Sequence, residues 1–506
     1  MNNPLHLIDF YKADHRRQYP EGTTLVYSNL TPRKSRIPGV DHIVWFGLRY
    51  FLTEYLVKQW NYGFFLRDKA TVLNEYKRRM DTSLGKDVIP VEHLAELHDL
   101  GYLPITIRSL PEGTLVPMGI PCMVLWNTHP RFFWLVNYLE TLLSAVLWGP
   151  STSATTAHRY RTLLDAWCEK TGGDPAFVPW QGHDFGMRGM FGIEAAAMSG
   201  AGHLLSFTGT DTVPAIDFLE TYYDADATVE VVGGSVPATE HSVMCMGQPE
   251  GELDTFKRLI TEVYPKGVVS IVSDTWDLWT VLTDYLLLLK EEILDRDGKV
   301  VIRPDSGDPV DILCGTIHEF NQAGYAPDGH PGHFAPQTFG VIELLWHTFG
   351  GTVNAKGFKQ LDPHIGAIYG DSITVERADE ICKRLAAKGF ASTNVVLGIG
   401  SYTYQYVTRD TFGFAMKATY GEVNGQGRSI WKKPVTDNGT KTSAKGLLAV
   451  KLVDGKLVLE QGVTWPDACN DAMDEVYRDG FLKETSVQSL GEIRRRLEEH
   501  RNAVER

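Results

Sequence analysis

The polar residues that end this chain's short apolar stretches are the ones able to do chemistry. They are His183, Asp184, Phe185, Arg188, Asp211, Glu240, His241, Asp274, Arg303, Asp305, Asp371, Gly398 and Gly400. Arginine grips phosphate through two parallel donors. Mg²⁺ prefers one or two carboxylates plus phosphate oxygens. A set of arginines, carboxylates and glycines therefore suits a phosphorylated substrate bound with Mg²⁺. The sequence holds no G-x-S-x-G elbow, no Walker A loop, no H-E-x-x-H helix and no G-x-G-x-x-G after a first strand. Serine hydrolase, P-loop kinase, zincin and nicotinamide-dependent dehydrogenase lose their usual support.

The stretches that position these residues recur from about Ala176 onward. They cover 177–186, 204–211, 229–241, 268–274, 299–307, 364–371 and 394–401, with helical patterns between them. The end markers Asp184, Asp211, His241, Asp274 and Asp305 follow one another at steps of 27 to 33 residues. One step of 66 residues then leads to Asp371 and implies an insertion, with a Gly-, Pro- and His-rich run at 330–337. Short strands buried on both faces imply a parallel sheet. Seven of them predict a closed or nearly closed, irregular α/β barrel, with chemistry at the C-terminal strand ends. Thr374 to Lys388 predicts an amphipathic helix stopped by Gly389.

The flanks read differently. Residues 1–150 mix predicted strands (24–30, 103–107) with predicted helices (44–58, 132–148), an α+β layer. Residues 151–411 form the barrel. Residues 412–506 return to β alternation, with a hairpin at 446–460 turning at Asp454-Gly455 and a last helix opening on a capping box, S-L-G-E (489–492). A lone hairpin is barely stable, so this tail is expected to rejoin the N-terminal layer.

The chain has 506 residues and a formal net charge of −14, which argues against nucleic acid or an anionic membrane as partner. Its six cysteines are scattered without a C-x-x-C pair, and no secretory signal is visible, so a cytoplasmic setting is expected.

The motifs D-F-Y-K-A-D-H-R-R-Q-Y-P (9–20), H-D-F-G-M-R-G (183–189), G-T-D-T-V (209–213), S-V-P-A-T-E-H-S (235–242), V-S-D-T-W-D (272–277), I-R-P-D-S-G (302–307), G-D (370–371) and T-R-D (408–410) stand in this order. In that order they resemble the nicotinamide phosphoribosyltransferase family, a type II phosphoribosyltransferase, over roughly residues 4 to 500. The resemblance implies phosphoribosyl transfer from 5-phosphoribosyl 1-diphosphate to nicotinamide, with Mg²⁺ and with ATP as co-substrate, in a homodimer with shared active sites.

The same resemblance assigns roles. Phe185 stacks on the pyridine ring, with Tyr11 of the partner on the other face. Asp211 accepts from the carboxamide, and Ser235, Ser270, Arg303 and Asp9 complete the nicotinamide contacts. His241 is the residue phosphorylated by ATP, oriented by Glu240 and Asp274. Arg188, Arg303, Gly370, Asp371, Gly398, Gly400, Arg409, Lys417 and Lys432 hold the phosphoribosyl and phosphate groups. Asp305 and Asp274 approach Mg²⁺ through water. Taken singly, these residues have plainer uses: a core aromatic, a helix cap, a structural histidine, a salt-bridge network. The family's usual G-S-G-G-G run is here G-I-G-S-Y (398–402), Met187 stands for an aromatic and Thr275 for a serine. Lys441 and Lys445 receive no role. The rival readings are nicotinate phosphoribosyltransferase, which Asp211 opposes, and a non-catalytic nucleotide-binding or signalling protein, for which a phosphoacceptor is superfluous.

Overall fold

A computed structural model describes residues 3–316, 335–370, 372–432 and 444–504. The chain divides into two compact units: Met1–Thr155 with Asp217–Asp226 and Val407–Arg506, and Thr156–Ile216 with Ala227–Tyr406.

In the first unit, strands from both ends of the chain share one seven-stranded antiparallel sheet. Its order is Gln426–Ser429, Phe414–Val423, Thr23–Pro32, Met123–Asn127, Ile105–Ser109, Asp474–Arg478 and Phe481–Leu482. The tail thus rejoins the N-terminal layer, as its marginal hairpin demanded. The hairpin Leu448–Val453/Lys456–Gln461 turns through Asp454 (φ 49°) and Gly455 (φ 75°), both left-handed as a type I′ turn requires. Ser489 and Glu492 exchange the hydrogen bonds of a capping box at the start of the last helix.

The helix expected over 132–148 is broken instead into Leu135–Tyr138 and the 32-residue helix Glu140–Thr171. Proline normally ends a helix, yet Pro150 lies inside this one. The S-T-S-A-T run that follows bonds back onto the helix without replacing the amide donor that Pro150 lacks. Thr152 and Thr155 hydroxyls donate back to the carbonyls of Trp148 and Ser151, and Thr155 also accepts from the Val44 amide. The helix expected from Val44 begins only at Leu48, because Val44 ends a strand, His42–Val44. Among the described residues no single helix is long and apolar enough to cross a membrane. All six cysteines are free.

The second unit is a parallel six-stranded sheet in the order Gly209–Thr210, Gly182–Asp184, Val395–Ile399, Ile365–Tyr369, Asp297–Arg303 and Lys266–Val272. Its inward side chains, among them Val269, Val300, Ile302, Ile365 and Leu397, are essentially buried. The seventh expected strand, 229–241, is not regular. It bridges the two open edges: Gly234 exchanges backbone hydrogen bonds with Thr208 and Thr210 at one, and Pro237 and Thr239 with Ser270 at the other. The curled half-barrel is closed by that segment. The first two strands are shorter than expected, because Val178–Gln181 and Ile193–Leu204 are helical up to their starts. The helix expected over Thr374–Lys388 runs Val375–Ala387, capped by the Thr374 hydroxyl. In the expected insertion, residues 330–334 lie outside the described residues, while Pro336–Thr338 form a short 3₁₀ turn.

Candidate active site

Parallel pairing brings the strand ends together. His183 lies beside Gly398 and Asp184 beside Ile399, and the Phe185 amide donates to the Ile399 carbonyl (3.0 Å). The Phe185 ring then passes so close to Gly398 that a Cβ there would stand 2.8 Å from Cδ2 and 2.7 Å from the Tyr369 carbonyl oxygen. Only glycine fits this approach. A Cβ on Gly370 would run into the Asp305 carboxylate. Gly400 faces open space instead, at an ordinary φ of −100°.

Beside Phe185 is a charged cluster. His183 Nε2 lies 2.9 Å from Asp211 Oδ1, and the Ser235 hydroxyl donates to the same oxygen (2.5 Å). The His183 ring sits 4.6 Å from the Phe185 ring, tilted by 36°. Burial pushes the Asp211 carboxyl up. The hydrogen bonds from His183 and Ser235, and the charges of His183 and Arg303, outweigh burial and leave it below its ordinary value. Asp211 is therefore a carboxylate at neutral pH. It makes no helix-cap hydrogen bond among the described residues. Nearby on the sheet, Ser270 Oγ and Arg303 Nε are buried without a protein partner among the described residues, so both have hydrogen-bonding capacity to spare.

A second cluster surrounds His241, at the start of the short helix His241–Met246. Nδ1 lies 3.1 Å from the Thr275 hydroxyl, and Nε2 lies 3.9 Å from both Asp274 Oδ1 and Asp305 Oδ2. Asp274 is almost wholly buried. Its Oδ2 accepts from the amides of Asp305 and Ser306 (2.7 Å each), which fixes the Asp305 loop, and its Oδ1 has no hydrogen-bond partner among the described residues. Glu240 does not orient the ring: its carboxylate accepts from the Ser242 hydroxyl. That duty falls to Thr275, which motif reading had marked only as a substitution. An Nδ1–H donating to Thr275 leaves the Nε2 lone pair free as a nucleophile. Eleven residues after His241, Glu252 is buried with Oε1 lacking a hydrogen-bond partner among the described residues, and burial followed by the charge of Asp277 pushes its carboxyl up to about 7.

In the first unit, Tyr11 is 60% exposed and meets His15 edge-on at 4.9 Å. Asp9 accepts from the Thr141 hydroxyl (2.7 Å). Lys12, buried, pairs with Glu140 at 2.8 Å. Burial depresses the Lys417 ammonium. Glu140 opposes this, and the charges of Lys432, Arg33 and Lys12 add to it. Lys12, Arg33 and Lys432 thus gather around Lys417, and of these Lys12 and Arg33 received no role from the motifs. Arg409 pairs with Asp410 (3.2 Å). Arg188 is exposed at the barrel mouth, and Asp371 lies outside the described residues.

Among the described residues no three histidine, cysteine or acidic side chains gather as a metal cluster. Asp274 Oδ1, buried and unpaired close to Asp305, fits Mg²⁺ held mainly by substrate oxygens and water.

Residues 180–481 match the model of the nicotinate phosphoribosyltransferase (NAPRTase) family, and residues 3–107 that of the nicotinamide phosphoribosyltransferase N-terminal domain. The nicotinamide phosphoribosyltransferase of Acinetobacter baylyi is 54% identical, over 98% of this chain and 97% of its own. That of Mycoplasma pneumoniae is 34% identical, over 87% and 94%. The crystal structure of human nicotinic acid phosphoribosyltransferase shares the fold, with a TM-score of 0.53 at 16% identity, over 97% of this chain and 92% of that one. With its barrel motifs inside the first model and its N-terminal layer inside the second, the chain belongs to the nicotinate and nicotinamide phosphoribosyltransferase family.

Proposed function

We propose that the protein joins nicotinamide to 5-phosphoribosyl 1-diphosphate, giving nicotinamide mononucleotide and diphosphate in NAD salvage, as a cytoplasmic homodimer. The observation that carries the choice of base is the ionised Asp211 beside Phe185. A carboxamide offers that carboxylate an N–H donor, whereas nicotinate would set a second anion against it.

The pyridine nitrogen attacks C1 of the ribose as the C1–O bond breaks, and the bonding pair departs with diphosphate. Phe185, with Tyr11 of a second copy on the opposite face, aligns the ring, so proximity supplies part of the rate. Arg188 and Arg303 receive the phosphates, and the amides beside Gly398 and Gly400 approach the 5′-phosphate. Asp305 and Asp274 would hold Mg²⁺, largely through water, and the ion would supply positive charge against the leaving diphosphate.

ATP coupling runs through His241. Its Nε2 attacks the γ-phosphorus, ADP leaves, and the phosphohistidine drives synthesis forward. With Nδ1 donating its hydrogen to Thr275, the Nε2 lone pair would be the nucleophile. The test is a rate assay with nicotinamide and with nicotinate, each with and without ATP. Preference for nicotinamide and a yield raised by ATP support the reading; preference for nicotinate overturns the base assignment.

A further inference from the structure

Asp211 is aimed by a neighbour to which no role has been given. His183 follows Gly182 on a strand paired in parallel with Gly209–Thr210, in the register His183↔Gly209. Side chains two apart on a strand share a face, so His183 reaches past Gly209 to Asp211. Gly209 makes the path possible: a Cβ there would stand 2.8 Å from His183 Nδ1. Both donors to Asp211, His183 Nε2 and Ser235 Oγ, converge on Oδ1. Oδ2 receives no hydrogen bond among the described residues, although the Asp211 side chain remains 42% exposed. The carboxylate is pinned by one oxygen and presents the other.

We infer that His183 is a specificity-determining positioning residue, which holds Asp211 Oδ1 through an Nε2–H tautomer so that Oδ2 alone meets the substrate's carboxamide. The inference rests on the nicotinamide reading above. The tautomer matters because an imidazole with its hydrogen on Nδ1 would turn a bare Nε2 lone pair toward the carboxylate, and the pin would be lost. Freed from this pin, Asp211 would keep its charge, and so its repulsion of nicotinate, but lose its aim at nicotinamide.

The test uses the full-length protein and two variants, His183→Ala and His183→Gln, with kcat and KM measured for nicotinamide and nicotinate. In His183→Ala, kcat/KM for nicotinamide should fall about tenfold or more, mostly in KM, as expected for a lost hydrogen bond to a charged group. The rate with nicotinate should stay near its wild-type level, so the preference ratio falls by a similar factor. His183→Gln, whose amide donates without an imidazole, should restore the ratio to within about threefold. Equal losses for both bases, or a ratio unchanged in His183→Ala, overturn the inference. If His183→Ala fails to fold, ¹⁵N spectra of histidine-labelled wild type decide, with the His183 signal assigned by its loss in His183→Gln. Protonated Nε2 and bare Nδ1 are expected, and the reverse tautomer overturns the inference. A wild type that prefers nicotinate, or transfers to neither base, would instead sink the nicotinamide reading on which the inference stands.

Discussion

At the scale of single residues, charge decides more than shape. Asp211→Asn keeps the side chain's outline but removes the anion. The variant should lose activity on nicotinamide and gain on nicotinate, shifting the ratio of kcat/KM values roughly ten- to a hundredfold, as for a charge clash of about 1.4–2.8 kcal/mol. His241→Ala should abolish incorporation of label from γ-labelled ATP while leaving slow ATP-independent synthesis, because the transfer itself needs no phosphohistidine; unchanged labelling would place the acceptor elsewhere. Glu252 gives a pH signature. Its folded carboxyl titrates near 7, above the unfolded value of 4.5. Below 4.5 both states are protonated. As pH rises from 4.5 to 7 the unfolded chain ionises first, and stability is lost until about pH 7. Glu252→Gln removes this loss, so its Tm should match wild type at low pH and exceed it by roughly 2–4 °C at pH 8. The histidine, the strand-end carboxylates and the arginines were legible in the sequence because strand ends can be read from apolar runs that stop abruptly. Thr275 on His241, His183 on Asp211 and Lys12 on Glu140 were not, because each contact joins residues far apart in the chain and exists only after folding.

Elements were legible where local rules act alone and lost where a neighbour overrides them. The Asp454-Gly455 hairpin and the Thr374-capped helix follow from turn and cap chemistry. The Glu140–Thr171 helix did not, because Pro150 reads as a stop, yet the chain stays helical across it. Gly398 and Gly400, proposed to face the 5′-phosphate, separate packing from binding. Gly398→Ala would drive a methyl group into the Phe185 ring and the Tyr369 carbonyl, so it should lower Tm by several degrees and kcat/KM for nicotinamide by tenfold or more. Gly400→Ala meets nothing within 4 Å, so its Tm should hold. If activity of Gly400→Ala also holds, no ligand approaches that residue closely.

The whole molecule shows how distant segments are fastened. Buried Glu112 accepts from the Gly47 and Arg49 amides and from the Tyr223 hydroxyl, on the 217–226 stretch that belongs to the first unit. Glu112→Ala leaves those donors unpaired and should cost about 2–4 kcal/mol, read as a lowered urea midpoint. The proposed sharing of sites between two copies is open to a complementation test. Tyr11→Ala and Phe185→Ala subunits, each inactive alone, should regain activity when mixed, since a heterodimer keeps one site with both rings; no recovery despite proven subunit exchange would refute sharing.

The segment that closes the half-barrel has a further consequence. Gly234 is hydrogen-bonded at one edge and Pro237 at the other, with only Ser235 and Val236 between them. Ser235 grips Asp211 from the near bank, and His241 meets Thr275 four residues beyond the far one. The stretch acts as a ruler cut to a fixed length. Changes of residue type at Val236 leave that length alone, but a single inserted or deleted residue must pull either Ser235 from Asp211 or His241 from Thr275. Natural variants of this chain should therefore vary in letters there and never in count.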